Sequence, residues 1–177
     1  MRYYEALGLE PRLMLDESDL KKRFYERSRQ WHPDRFSQAS AAEQQTALEQ
    51  TALLNDAFRT LRNPVSRAEY FLEQRSIAPT KGAPPELLEE VFELNIALEE
   101  LREGDSSARP QLEQARGRFE QMLGEIDHGL SALFTRYDQG RHDESLLLAI
   151  RSVLDRRRYA RNLIRDVNKE LNGHLPN

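Results

Sequence analysis

With 177 residues, 38% of them hydrophobic and 32% charged, the chain can form one ordinary domain or two small ones, built from helices that bury one face only. Eight glycines and eight prolines are too few for a turn-rich β fold, and the lack of cysteine excludes disulfides and thiolate metal sites and suits a reducing compartment. A net charge of −4 argues against a nucleic-acid binder, and no apolar run approaches the roughly 18–20 residues of a membrane span.

The start, Met1-Arg2-Tyr3-Tyr4-Glu5, runs straight into patterned helix with no leader-like stretch, so the bacterial cytosol is the expected compartment; a mature organellar protein shorn of its presequence would look the same. Tyr3 to Gly8 reads as a short helix stopped by glycine. Asp16 or Ser18 can cap a second helix, with Leu20, Phe24, Ser28 and Trp31 along one side, which runs to about His32. Pro33 stops it, because a proline has no N–H to donate and pushes the residue before it out of helical geometry. A third helix starts near Ser40 or Ala41 and ends at Asn63-Pro64, with a stripe of Ala47, Thr51, Leu54, Phe58 and Leu61. Two facing stripes of this length predict an antiparallel helical hairpin. A short helix follows from Pro64 through Leu72.

The segment Ser76–Pro85 is the one Pro/Gly cluster and the expected domain boundary, giving a first domain over 1–75, a linker over 76–84 and a second domain over 85–177. Three long helical patterns follow, at about Pro85–Glu103, Ser107–Gln139 and Asp143–Asn172, which suggest an antiparallel three-helix bundle. Gly117 and Gly124 fall inside the middle pattern and cost it about 1 kcal/mol each relative to alanine.

Charge is unevenly spread. The second helix and the turn after it carry Lys21, Lys22, Arg23, Arg27, Arg29 and Arg35. The first bundle helix is rich in glutamate, and the third is basic. Opposite signs on these two bundle helices would help them lie together. The histidines His32, His128, His142 and His174 show no paired metal-ligand spacing, and His128 and His142, beside Asp127 and Asp143, read as solvated helix-end residues.

The tripeptide His32-Pro33-Asp34 stands between the two helices of the predicted hairpin. Alone it is weak evidence, arising by chance in roughly one chain of this length in a hundred. Its surroundings decide the matter. The basic helix before it, the stretch Leu54-Asn55-Asp56-Ala57-Phe58-Arg59-Thr60-Leu61-Arg62-Asn63-Pro64 after it, and Arg67-Ala68-Glu69-Tyr70 together resemble a J-domain. The opening Tyr-Tyr-x-x-Leu-Gly-Leu, the lack of a Gly/Phe-rich linker or cysteine-rich module, and the single helical domain that follows narrow the resemblance to the HscB family.

That resemblance implies an all-α, L-shaped molecule with a J-domain and a C-terminal three-helix bundle. It implies a co-chaperone, not an enzyme, that stimulates ATP hydrolysis by a DnaK/HscA-class chaperone and delivers to it an IscU-type iron–sulfur scaffold protein, with no cofactor or metal of its own. Asp34 would pair with an arginine of the ATPase, on a loop shaped by His32 and Pro33, with Lys22, Arg23, Arg29 and Arg35 as further contacts. The bland reading of that charge run is a solvated helix face.

The scaffold-binding face would fall at Leu88, Glu89, Phe92, Glu93 and Ile96, with Tyr159 from the last helix. Glu89 stands where an apolar residue is usual, Asn95 where a basic one is and Ile96 where an acidic one is, so a different protein client is the alternative. Leu88, Phe92 and Ile96 form one stripe, and Val91, Leu94, Leu98 and Leu101 a second. One stripe must pack the bundle, which leaves the other for a client unless both are core. A hydrolase using His32 and Asp34 would turn over without any chaperone, and the sequence offers it no substrate pocket.

Overall fold

The computed structural model describes residues 1–140 and 143–173; Arg141, His142 and His174 lie outside the described residues. Among the described residues there are seven α-helices, which account for most of them, and no strand. They are α1 (Arg2–Leu7), α2 (Glu17–Gln30), α3 (Ala41–Arg62), α4 (Pro64–Glu73), α5 (Leu88–Arg102), α6 (Arg109–Asp138) and α7 (Glu144–Gly173). Short 3-10 turns at Pro33–Phe36, Pro85–Leu87 and Ser106–Ala108 link them. The chain divides into two compact units, one formed by Met1–Ala78 with Phe134–Asp143 and the other by Pro79–Leu133 with Glu144–Asn177.

In the first unit α1 ends at Gly8, whose φ of 66° is the left-handed geometry that suits glycine. Asp16 caps α2 by accepting the Asp19 N–H. Ser40 caps α3 with a reciprocal capping box to Glu43, and Asn63 caps α4, where Pro64 occupies the first turn. Trp31 meets Thr51 and Phe24 stacks on Phe58 at 4.3 Å, so α2 and α3 run antiparallel as their stripes predict. Tyr4, Leu7, Leu20, Leu54, Leu61 and Phe71 are fully or almost fully buried between the helices.

Arg67 is buried in this core, where its Nε donates to the Leu13 carbonyl at 2.7 Å and its Nη1 to the Leu61 carbonyl at 2.8 Å. It thereby satisfies two carbonyls that water cannot reach. The Asp138 carboxylate accepts the N–H groups of Leu13 and Met14, so the last turn of α6 belongs to this unit.

The second unit packs α5, the first part of α6 and α7 around Leu94, Leu98, Leu112, Phe119, Leu163 and Val167. Gly117, Gly124 and a third glycine, Gly129, leave α6 unbroken, because the cost of three glycines is small beside a buried apolar face. The helix charges behave differently from the simple attraction expected of them. An ion pair joining α5 to α7, Arg102 to Glu170 at 2.8 Å, uses the minority sign of each helix. Arg157 of α7 pairs instead with Asp127 of α6, through Nε at 2.6 Å and Nη2 at 3.1 Å. Glu89, Glu93, Glu99 and Glu100 of α5 remain exposed.

Candidate functional site

The sequence places its candidate residues on two surfaces, one in each unit. The first begins where α2 ends. Trp31 terminates the helix, and His32 in extended geometry starts the 3-10 turn Pro33–Phe36. Proline supplies the fixed φ that such a turn needs at its first position. The His32 Nδ1 accepts the Asp34 N–H at 3.3 Å, and the Arg35 N–H reaches the His32 carbonyl at 3.0 Å. Ser37 Oγ donates to the Asp34 carbonyl at 3.0 Å.

Asp34 therefore has a fixed backbone and a free-standing side chain. Its carboxylate lies 3.5 Å from His32 Nδ1 and the side chain is 89% exposed. The accepting role of Nδ1 assigns the imidazole proton to Nε2, and the exposed Asp34 carboxylate is open to an outside cation. This arrangement can hold a directional carboxylate in place for a partner's guanidinium.

The cations around this turn differ in their freedom. Lys22 and Arg29 are exposed on α2. Arg23 is tied to its own domain, with Nε on Asp19 at 2.8 Å and Nη1 on the Gly8 carbonyl at 2.6 Å, so part of its charge serves the end of α1. Arg35 donates to the Arg29 carbonyl at 3.2 Å and closes the C-terminal end of α2. Tyr25, which the sequence reading passes over, is an exposed aromatic in the middle of this basic face. Its signal was available: Leu20 and Phe24 fill the buried line of α2, which leaves Tyr25 outside it.

The second surface lies on α5. Val91, Leu94, Leu98 and Leu101 are buried in the bundle core, whereas Leu88, Phe92 and Ile96 are 56%, 68% and 45% exposed. The wide apolar arc thus divides into a packed stripe and an open one, and the open one is flanked by exposed Glu89 and Glu93. Tyr159 is partly buried against the bundle core, so less of it is available to a partner than of Phe92. Arg158 is held by Asp155 at 3.0 Å and by the Thr80 carbonyl at 2.8 Å.

His128 is exposed within α6, not at a helix end, because the helix continues through Gly129 to Asp138. Among the described residues no group of three or more His, Asp or Glu side chains is arranged to hold a metal ion. No described helix is long and apolar enough to cross a membrane.

Two family profiles match the chain. Residues 2–70 match the DnaJ domain, and residues 83–168 match the HSCB C-terminal oligomerisation domain. Among solved structures, the chaperone HscB from Vibrio cholerae is similar, with 27% identity over 99% of this chain and 100% of that one and a TM-score of 0.64. The human co-chaperone protein HscB shares the fold, with 23% identity over 96% of this chain and 81% of that one and a TM-score of 0.67.

Proposed function

The chain belongs to the HscB family of J-domain co-chaperones, and on that premise we propose that it couples a DnaK/HscA-class ATPase to an IscU-type iron–sulfur scaffold protein. The observation that carries this reading is the exposed Asp34 carboxylate on a short turn beside a basic helix. A carboxylate with a fixed backbone loses little entropy on meeting an arginine, and Lys22 and Arg29 steer the approach to an acidic patch on the ATPase. Tyr25 and Arg35 lie on the same face and take part in the contact.

In this reading the scaffold docks on Leu88, Phe92 and Ile96, with Glu89 and Glu93 supplying charge at the rim and Tyr159 a smaller contribution. An exposed aromatic flanked by aliphatic side chains is the composition of a binding hot spot. The two bound partners are brought together, and the chaperone closes on the scaffold as ATP is hydrolysed. The protein does no bond chemistry itself and acts in the cytosol.

The test is single-turnover ATP hydrolysis by the DnaK-class chaperone of the same organism, with this protein and with or without the scaffold. Synergistic stimulation with the scaffold is the expected result, and His32→Gln is expected to abolish stimulation while leaving scaffold binding intact. Stimulation retained by that variant would remove the mechanism.

One observation favours a second reading with another client. Ile96, in place of an acidic residue, extends the open apolar stripe to a third turn of α5 and makes the face less charged than the family pattern. Stimulation that ignores the scaffold would support this reading.

A further inference from the structure

Between Gln30 and Ala41 no side chain is fully buried, and Trp31, Phe36 and Ala39 alone are partly so. The turn that carries Asp34 therefore has little apolar burial to hold its shape. Its internal bonds are few, one of them 3.3 Å long, and short 3-10 turns have poor hydrogen-bond geometry. Trp31 and Phe36 stand at either end of the segment His32–Arg35. Their rings stack across it, with centroids 5.8 Å apart and planes within 6°. The stack is itself fastened to α3 through Thr51, whose Oγ1 donates to the Trp31 carbonyl at 2.9 Å.

We propose that Trp31 and Phe36 form an aromatic clasp that positions Asp34 for the chaperone, a role that rests on the co-chaperone reading above. Neither ring needs to touch the ATPase. With the clasp closed, the chain between them has one short path, and the Asp34 carboxylate projects from a fixed point. With the clasp open, the segment has no apolar tie, and the chaperone must order it at each encounter. That ordering weakens association but leaves the bound arrangement unchanged. The clasp therefore governs the concentration at which stimulation half-saturates, whereas His32 and Asp34 govern its maximum.

Trp31 is the single tryptophan of the chain, so its fluorescence reports on the clasp directly. The experiment titrates the full-length protein into single-turnover ATP hydrolysis by the DnaK-class chaperone, comparing wild type, Phe36→Leu and Phe36→Tyr. Phe36→Leu is expected to change Trp31 emission and to raise the half-saturating concentration about three- to tenfold, with the maximal rate retained. Phe36→Tyr keeps a ring and is expected to behave as wild type. Thr51→Val loosens the clasp from the α3 side without altering either ring, and is expected to raise the half-saturating concentration too. A Phe36→Leu chain with altered Trp31 emission and a wild-type titration overturns the clasp alone. If Phe36→Leu loses its helical circular dichroism, an unchanged titration for Thr51→Val overturns it instead. A wild-type chain that gives no stimulation overturns the co-chaperone reading and the clasp with it.

Discussion

Tyr4 shows how one polar atom in a core makes stability depend on pH. The side chain is fully buried, and its hydroxyl donates to the Arg12 carbonyl at 2.8 Å. Burial pushes its pKa well above the usual tyrosine value, with Asp138 adding to the rise and Arg67 opposing it. A group whose folded pKa is raised gives its full stabilisation below the unfolded pKa, and loses it as pH rises from there through the folded value. The window thus opens at about pH 10, where an unfolded tyrosine ionises and a buried one resists. Tyr4→Phe is expected to cost about 1 kcal/mol at neutral pH and to flatten the alkaline loss. Urea midpoints at pH 8 and pH 11 check this, and equal losses in both proteins would refute it.

Other residue roles divide by how far apart in sequence the partners lie. The turn that carries Asp34 was legible because Pro33 and the end of α2 lie within a few residues of it. The tie from Arg23 to the Gly8 carbonyl, and those from Arg67 to Leu13 and Leu61, cross between elements and leave no local pattern. Arg23 is legible as one cation of a basic helix, but its tie to Gly8 is not.

At the scale of elements, helix positions followed from periodicity and from proline and glycine, because these act within one or two turns. The three 3-10 turns did not, since three or four residues carry no period. The division of the α5 arc into packed and open stripes could be anticipated, but which stripe faced inward depended on the helices it met. Cap energetics give a prediction here. Ser40 closes a reciprocal box with Glu43 and holds the Glu43 carboxyl below its ordinary pKa through hydrogen bonds from the Ser40 hydroxyl and backbone N–H. Ser40→Ala is expected to cost about 1 kcal/mol at pH 7, read as a lower urea midpoint. A depressed carboxyl stabilises above its unfolded pKa and stops doing so as pH falls through the folded one. The gap between wild type and variant should therefore narrow below about pH 4.

The glycines of α6 give the opposite prediction. A Cβ at Gly117 or Gly124 would meet nothing within 4 Å, and the backbone there is helical. Alanine at either position is expected to stabilise by about 0.5–1 kcal/mol by restricting the unfolded chain. Chemical denaturation of the two single variants measures it, and a loss of stability at both would mean that the bare backbone of α6 serves a close contact.

At the scale of the whole molecule, each unit has a core of its own, and each carries one candidate surface. The sequence supports the two-part organisation through the Pro/Gly cluster and the change of helix length. It does not reveal that Phe134–Asp143 counts with the first unit, because the bond from Asp138 to Leu13 spans 125 residues. Two surfaces on two cores should be separable by mutation. Phe92 is 68% exposed, so Phe92→Ala is expected to change stability by no more than about 0.5 kcal/mol. As the most exposed apolar side chain of the open α5 stripe, it is nevertheless expected to weaken scaffold binding tenfold or more, in the range of about 1.4 kcal/mol or above typical of an aromatic anchor. Stimulation of the chaperone by Phe92→Ala without scaffold should match wild type, while the increment added by the scaffold should fall. His32→Gln should show the reverse, with scaffold binding intact and no stimulation. Calorimetric titration of the scaffold and single-turnover hydrolysis, run on both variants, complete the cross. A Phe92→Ala protein that binds scaffold as tightly as wild type would remove the client from this face of α5, while leaving the assignment of Asp34 unaffected.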